Sequence, residues 1–457
     1  MSWSWIVILL VSCISMTGIG TGPTSSPLQV ITHPDGLLYV GDQVSFEILA
    51  PPGYESVTHH NIDVSFEGKS IGKSGFAPYG IGGRTEAVLW WAWDTRPLKP
   101  GTYTLTFTSS PEENTWNESI SLLPADQVPP PAPQAHWAET TTVCCNIYYI
   151  TGTDAARDIS TLGKEADEQS ADVAGKMQSS LKGKIPLVFM PRILGNGGFT
   201  SDAVYVSYLD NNYLANDTSI ILHHEFVHFY DNQIGGTYLP PIFEEGLAVY
   251  LSGGHYKPEP IAPQAAALFN LGWYIPLQKL ADDFYNQEHE IGYLEAAGLV
   301  KYLVDTYGWT KFNEFYRTIP QPGNQKISTV INASARNNLG ISFADMEAGY
   351  QKYLQAQAVP PAEKEDLQLT VQFFDTGRRY QMSFDRSAYF LTAWLPDGTQ
   401  MRQRGITADL LRHPQGLGNR YIEAQLKNAW AELAGGNYTE TQITLEWINV
   451  ILNIATF

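Results

Sequence analysis

The segment His224-Glu225-Phe226-Val227-His228 carries the clearest chemical signal in this sequence. Residues four apart on a helix lie on the same face, so the imidazoles of His224 and His228 can converge on one ion. Their neutral nitrogens suit Zn²⁺ at about 2.0–2.1 Å. Glu225, beside the first histidine, can accept a proton from a zinc-bound water, whose pKa the metal lowers toward about 7. The spacing therefore predicts a zinc site that activates water.

The residues around this motif predict that it lies on a buried helix. Asp217-Thr218-Ser219 offers N-capping groups directly before the apolar run Ile220-Ile221-Leu222. The alternative is a surface helix with two solvated histidines, but Phe226 and Val227 within the motif argue against exposure. Two buried histidines with a glutamate between them need compensation, which a cation supplies.

A second helical segment reads Pro241-Ile242-Phe243-Glu244-Glu245-Gly246-Leu247-Ala248-Val249-Tyr250. It resembles the third-ligand helix of the gluzincin metallopeptidases, which include the aminopeptidase N-like enzymes and the bacterial peptidase-MA-like proteins. Their pattern is a bulky residue, one variable residue and then Glu-Gly-x-Ala-x-Tyr, in which the glutamate binds zinc. The resemblance assigns that role to Glu245 and implies a two-His, one-Glu site with one position open for water. The interval from His228 to Glu245 is slightly shorter than in the aminopeptidases, which is a small departure.

Several neighbouring polar side chains compete for roles at this site. Glu244 lies about 100° round the helix from Glu245, so both cannot face the metal, and we interpret Glu244 as a solvated or substrate-facing carboxylate. His223 points away from the face that the two motif histidines share, and we interpret it as structural. Asp231 either orients a ligand histidine or is a polar residue at the helix end.

The segment from Glu290 to Trp309 predicts a third helix, which is similar to the helix after the zinc site in peptidase-MA-like proteins. The leading tyrosine of that helix faces the cleft, which implies that Tyr293 hydrogen-bonds to the oxyanion of the tetrahedral intermediate. A core aromatic is the alternative role for Tyr293, and His289 could serve in its place. Gly253-Gly254-His255 either shapes a substrate loop or marks a simple helix exit.

Residues 28–124 predict an all-β module. Apolar residues alternate with polar ones in several short runs, such as Val44, Phe46 and Ile48, and Gly- and Pro-containing turns separate the runs. This pattern favours an antiparallel sandwich. Lys99-Pro100-Gly101-Thr102-Tyr103-Thr104-Leu105 resembles the closing strands of a bacterial immunoglobulin-like domain, which implies a spacer or binding module.

Proline-rich stretches indicate the remaining boundaries. Residues 125–136 contain a polyproline-type linker, and a second break falls at Val359-Pro360-Pro361. Between them, residues 137–358 form the segment that resembles a gluzincin peptidase domain, so a central α+β zincin fold is expected. Residues 364–457 predict a small α+β domain of unknown role, with a hairpin over residues 380–395 and two helices that Gly435-Gly436 separates.

Residues 1–27 form an apolar leader, in which Leu10-Val11-Ser12-Cys13 resembles a bacterial lipobox. A lipid anchor at Cys13, a cleaved signal and an uncleaved anchor remain alternatives. Each places the body of the protein outside the cytoplasm, with membrane contact only through this leader. The adjacent pair Cys144-Cys145 is interpreted as one buried and one partly exposed thiol, with a vicinal disulfide as the alternative.

The charge balance excludes one class of partner. The chain has 28 Lys and Arg against 47 Asp and Glu, a net charge of −19, which repels nucleic acid. The sequence as a whole predicts a multidomain, extracytoplasmic zinc metallopeptidase that acts on a peptide or protein. A surface binding protein on a zincin scaffold and a zinc hydrolase of a non-peptide substrate are the alternatives. The motifs leave the substrate and the oligomeric state open.

Overall fold

The computed structural model describes residues 28–50, 59–78, 85–111, 114–193, 197–214, 217–385, 387–388 and 398–455. Within these ranges the chain is mixed α/β, with three β-sheets followed by a long helical region. The strands are β1 (Gln29–His33), β2 (Leu38–Tyr39), β3 (Gln43–Leu49), β4 (Asn61–Phe66), β5 (Lys69–Gly75), β6 (Ala77–Pro78), β7 (Thr85–Asp94), β8 (Gly101–Ser110), β9 (Asn114–Leu123), β10 (Trp137–Thr141), β11 (Cys145–Ile150), β12 (Ile185–Met190), β13 (Gly198–Thr200) and β14 (Val204–Ser207).

The helices carry most of the residues with predicted chemical roles. They are α1 (Asp154–Met177), α2 (Thr218–Ile234), α3 (Pro241–Ser252), α4 (Ile261–Leu271), α5 (Leu277–Asp282), α6 (His289–Tyr307), α7 (Trp309–Arg317), α8 (Ile327–Asn338), α9 (Phe343–Gln355), α10 (Pro361–Phe384), α11 (Gly398–Arg404), α12 (Ala408–Leu411), α13 (Leu417–Ala434) and α14 (Tyr438–Ala455).

The N-terminal segment forms two sheets, with strand orders β1-β3-β7-β6 and β2-β9-β8-β4-β5. Side chains from both sheets, among them Phe46, Val64 and Phe107, share one buried core. The rings of Phe46 and Phe107 meet edge to face, with their centroids 5.5 Å apart. The expected two-sheet packing is therefore observed, and the likeness to an immunoglobulin-like domain stays a prediction.

The central sheet has the strand order β10-β11-β12-β14-β13. Strands β11, β12 and β14 run parallel, and β13 pairs antiparallel with β14 at the edge. The predicted strand over residues 185–190 is confirmed as β12. Leu187 and Phe189 face the helical core, whereas Val188 and Met190 pack on the other face, so the run is apolar without alternation.

That second face of the central sheet is covered by the N-terminal sandwich and by C-terminal helices. Trp91 of β7 shares a buried cluster with Val188 and Met190, and its indole Nε1 donates a hydrogen bond of 3.0 Å to Asp409. Arg412 also pairs with Asp42, with Nη1 2.6 Å from Oδ2. The sandwich is therefore packed against the rest of the chain.

The segment after residue 360 is helical throughout its described part, so the prediction of an α+β domain there is wrong. Helix α10 continues through Tyr380 to Phe384, where the start of a hairpin was expected. The helix is favoured because Leu367, Phe374 and Tyr380 bury one continuous face. Residues 389–397 of the predicted hairpin lie outside the described residues. Helices α13 and α14 do flank the Gly435-Gly436 break as predicted.

These C-terminal helices share a core with the central segment. Phe373 of α10, Leu426 of α13 and Leu445 of α14 belong to the same buried cluster as Phe226 of α2. The Pro-rich break near residue 360 is therefore a turn between packed helices and does not separate two hydrophobic cores.

Cys144 and Cys145 are joined by a disulfide, and both are buried. The interpretation as one buried and one partly exposed thiol is therefore wrong, and the vicinal disulfide is the observed form.

Among the described residues, no helix combines the length and apolar character that crossing a bilayer requires. The predicted leader, residues 1–27 with Cys13, lies outside the described residues.

Candidate metal centre

The structure brings His224, His228 and Glu245 together at one buried point. The Nε2 atoms of the two histidines are 3.0 Å apart, and Glu245 Oε2 lies 3.1 Å from His228 Nε2 and 3.3 Å from His224 Nε2. A tetrahedral ion with bonds of about 2.0–2.1 Å needs ligand atoms about 3.3 Å apart. The three atoms thus form a triangle whose size and chemistry fit zinc.

Two helices position these ligands. Helix α2 begins as its sequence predicts, because the Asp217 side chain accepts a hydrogen bond of 3.0 Å from the backbone N–H of Ser219. Helix α3 begins at Pro241, where proline's fixed φ suits the first turn. At Gly246, a Cβ atom would lie 2.6 Å from the carbonyl oxygen of Ala296 in α6. The glycine lets α3 approach α6 at backbone distance, next to Glu245.

The electrostatics of the cluster call for a positive charge. Burial lowers the pKa of His224 to about 4. Burial also acts to lower the pKa of His228, but the carboxylate of Glu245 raises it to about 10. Although burial favours a neutral Glu245, the two histidines hold its pKa well below the usual range. Without a metal, a proton on His228 balances the carboxylate, and a bound cation would take over that role.

Glu225 lies beside the ligands and is held by the edge strand β13. Its Oε2 accepts a hydrogen bond of 2.8 Å from Thr200 Oγ1. Burial raises the pKa of Glu225 to about 7, which suits a group that takes up and releases a proton near neutral pH. A Cβ at Gly198 would lie 2.8 Å from Glu225 Cγ, so only glycine leaves room for this carboxylate. The sequence gave no signal for Thr200 or Gly198, because β13 is distant from α2 along the chain.

A cavity of about 490 Å³ opens beside these residues. Tyr293 contributes to its wall, and burial raises the pKa of its phenol well above 10, so the hydroxyl remains a hydrogen-bond donor. Tyr285 also lines the cavity and donates a hydrogen bond of 2.9 Å to Glu245 Oε1. Sequence reasoning missed Tyr285, which lies outside the matched motifs.

The other polar residues near the motifs have different surroundings. Glu244 lines the cavity, with its Oε1 3.9 Å from His228 Nδ1, and burial raises its pKa to about 7. His223 bonds to Asp172 at 2.9 Å on the far side of α2, as a structural residue would. Asp231 accepts a hydrogen bond of 2.7 Å from Tyr316 and pairs with Arg317, so it ties α2 to α7 and does not bond to a ligand histidine.

A second group of potential ligands, His255, His289 and Glu290, lies at the same cavity. His255 Nδ1 is 2.9 Å from Glu290 Oε2, and Arg378 Nη1 is 2.8 Å from Glu290 Oε1. All three residues of this hydrogen-bonded chain are buried. Arg378 comes from α10, so residues far apart in sequence build this side of the site.

No family model matches the sequence, and no curated protein matches it. Among solved structures, an M1 zinc metallopeptidase from Deinococcus radiodurans is similar at 12% identity and a TM-score of 0.31, over 70% of this chain and 90% of that one. An aminopeptidase N family protein from Idiomarina loihiensis is similar at 12% identity and a TM-score of 0.22, over 71% and 70%. At such low TM-scores, the function has to be inferred from the geometry of the site itself.

Proposed function

We propose that this protein is a zinc-dependent metallopeptidase of the gluzincin type. The observation that carries the proposal is the triangle of His224 Nε2, His228 Nε2 and Glu245 Oε2, with sides of 3.0–3.3 Å, beside the buried carboxylate of Glu225. Three protein ligands leave the fourth tetrahedral position open, which is typical of catalytic zinc sites. When bound, zinc polarises the substrate carbonyl and lowers the pKa of water.

The surrounding side chains then handle protons and charge. Glu225 accepts the proton that water loses as it attacks the carbonyl carbon, and the hydrogen bond from Thr200 keeps the carboxylate oriented for this step. Tyr293 supplies a neutral hydroxyl to the oxygen that gains negative charge. Tyr285 holds the second oxygen of Glu245, so that Oε2 stays within the ligand triangle.

A peptide is the proposed substrate because an edge strand borders the cavity. Strand β13 ends the central sheet, and Gly198, Phe199 and Thr200 all contribute to the cavity wall. An extended peptide can add to such an edge through main-chain hydrogen bonds. That placement would bring a peptide bond beside Glu225, which Thr200 contacts directly.

The proposed setting is outside the cytoplasm, with the N-terminal sandwich as an accessory module. Support for the location comes only from the leader sequence, and membrane contact is proposed only through that leader. Support for an accessory role comes from the packing of Trp91 against Asp409, which ties the sandwich to the body that carries the cavity.

A mass-spectrometric digest of a diverse peptide library tests this function, with zinc-loaded wild type compared with Glu225→Gln. We expect cleavage only by wild type, because glutamine keeps the shape of Glu225 but cannot accept the proton. The pattern of products shows whether the enzyme trims ends or cuts internally. Absence of cleavage by folded, zinc-loaded wild type would overturn the peptidase proposal in favour of a binding scaffold or a non-peptide substrate.

A further inference from the structure

A hydrogen-bonded chain of buried charged groups borders the cavity opposite no assigned role. His255 lies in the loop after α3, Glu290 in the first turn of α6 and Arg378 in α10. His255 Nδ1 bonds to Glu290 Oε2 at 2.9 Å, and Glu290 Oε1 bonds to Arg378 Nη1 at 2.8 Å. Their exposed fractions are only 6%, 2% and 8%. Three separate elements thus converge to hold one imidazole at the cavity wall.

The charges in this chain argue against a second metal ion. His255, His289 and Glu290 could together offer three ligand atoms. The guanidinium of Arg378, however, already lies against Glu290 and neutralises its charge. A divalent cation at Glu290 would have to sit beside that guanidinium in a buried site, where the repulsion is weakly screened. The group is therefore better explained as a held imidazole than as a metal site.

Glu290 fixes the orientation of His255. Burial acts to raise the pKa of Glu290, but His255, His289 and Arg378 hold it well below the usual range, so Glu290 is an ionised acceptor. The Nδ1–H of His255 must then be the donor in their bond. No described residue hydrogen-bonds to the other ring nitrogen, Nε2, and His255 contributes to the cavity wall.

The ring of His255 lies close to the proposed reaction centre. Its centroid is 6.0 Å from that of the ligand His224. It stacks on Tyr293 with centroids 4.5 Å apart and an interplanar angle of 15°. The same cavity is lined by Glu225, so a substrate bound there meets His255 and Tyr293 together.

We propose that His255 is a further catalytic residue, whose Nε2 donates a hydrogen bond to the carbonyl oxygen of the scissile peptide as that oxygen gains negative charge. Glu290 and Arg378 are positioning residues that act through His255. The ionised Glu290 is the counter-charge that lets the imidazole carry hydrogen on both nitrogens. This inference rests on the proposed peptidase function and adds a second donor beside Tyr293.

Two substitutions at position 255 separate the two ring nitrogens. His255→Asn keeps an amide near Nδ1 that can still bond to Glu290, but it removes the group at Nε2. His255→Gln places an amide N–H near Nε2 instead. We expect kcat to fall about 100-fold in His255→Asn and clearly less in His255→Gln, with KM and zinc content close to wild type.

Glu290→Gln tests the positioning role. We expect kcat to fall about tenfold in the wild-type background, and we expect no further loss when the substitution is added to His255→Asn. A merely structural role of Glu290 would lower activity equally in both backgrounds. His33→Asn is the matched control, because His33 Nε2 bonds at 2.8 Å to the buried Glu47 in the N-terminal sandwich, away from the cavity. It is expected to change stability but not kcat.

The outcomes distinguish this inference from the proposed function. If wild type cleaves peptides and His255→Asn has a kcat within about threefold of wild type, the catalytic role of His255 is wrong while the peptidase assignment stands. A lower kcat for His255→Gln than for His255→Asn would also overturn it. If His255→Asn does not fold, the comparison of His255→Gln with Glu290→Gln decides, since only the proposal expects both to bind zinc and substrate normally while kcat falls.

Discussion

Substitution of Gly246 by alanine should destabilise the protein and disturb the metal centre. The added methyl carbon would lie 2.6 Å from the carbonyl oxygen and 3.1 Å from the Cβ of Ala296. Both atoms belong to a packed helix, so the clash can be relieved only if α3 and α6 separate by several tenths of an ångström. Overpacking of this kind costs about 1–3 kcal/mol. Because Glu245 is the adjacent residue, its carboxylate should also move away from the histidines.

Urea unfolding of the metal-free protein measures the first effect, and zinc affinity measures the second. We expect a lower midpoint at an unchanged m-value, together with weaker zinc binding. Gly175→Ala in α1 is the matched control, because Gly175 is exposed and a Cβ there would have no other atom within 4 Å. That substitution should stabilise the protein by up to about 1 kcal/mol. An equal or higher midpoint for Gly246→Ala would refute the close approach of α3 and α6.

Three further predictions concern the site. Thr200→Val removes the hydrogen bond to Glu225, so steady-state assays should show kcat reduced about tenfold with zinc content unchanged. Tyr285→Phe removes the bond to Glu245, and zinc titration should show affinity about tenfold weaker, whereas unchanged affinity would exclude a role in holding this ligand. Removal of zinc by a chelator should lower the thermal midpoint, because zinc at about 1,000 times its Kd stabilises the folded state by about 4 kcal/mol. A midpoint that does not change with zinc, measured by calorimetry, would contradict that linkage.

The sequence predicted the parts of the site that local periodicity controls. His224 and His228 share one helical face because they are four residues apart, and Asp217 caps that helix as its side chain and position indicate. The apolar run 185–190 also became the buried strand that was expected. Each of these features depends on residues that are neighbours along the chain.

The features that could not be predicted depend on tertiary contacts. Thr200 reaches Glu225 from an edge strand, and Arg378 reaches Glu290 from a helix near the C-terminus. No spacing rule connects such pairs. The predicted hairpin after Tyr380 was wrong for a related reason, because a short stretch was considered without the helix of which it is the end. Burial against the central core selects that helix.

The zinc content of wild type, Glu245→Ala and Glu244→Ala tests the central claim most directly. The geometry predicts about one zinc ion per chain in wild type and Glu244→Ala, because only Glu245 has an oxygen within the ligand triangle. Glu245→Ala should lose most of its zinc while the fold is retained. Equal zinc in wild type and Glu245→Ala, or loss only in Glu244→Ala, would contradict the proposed metal centre.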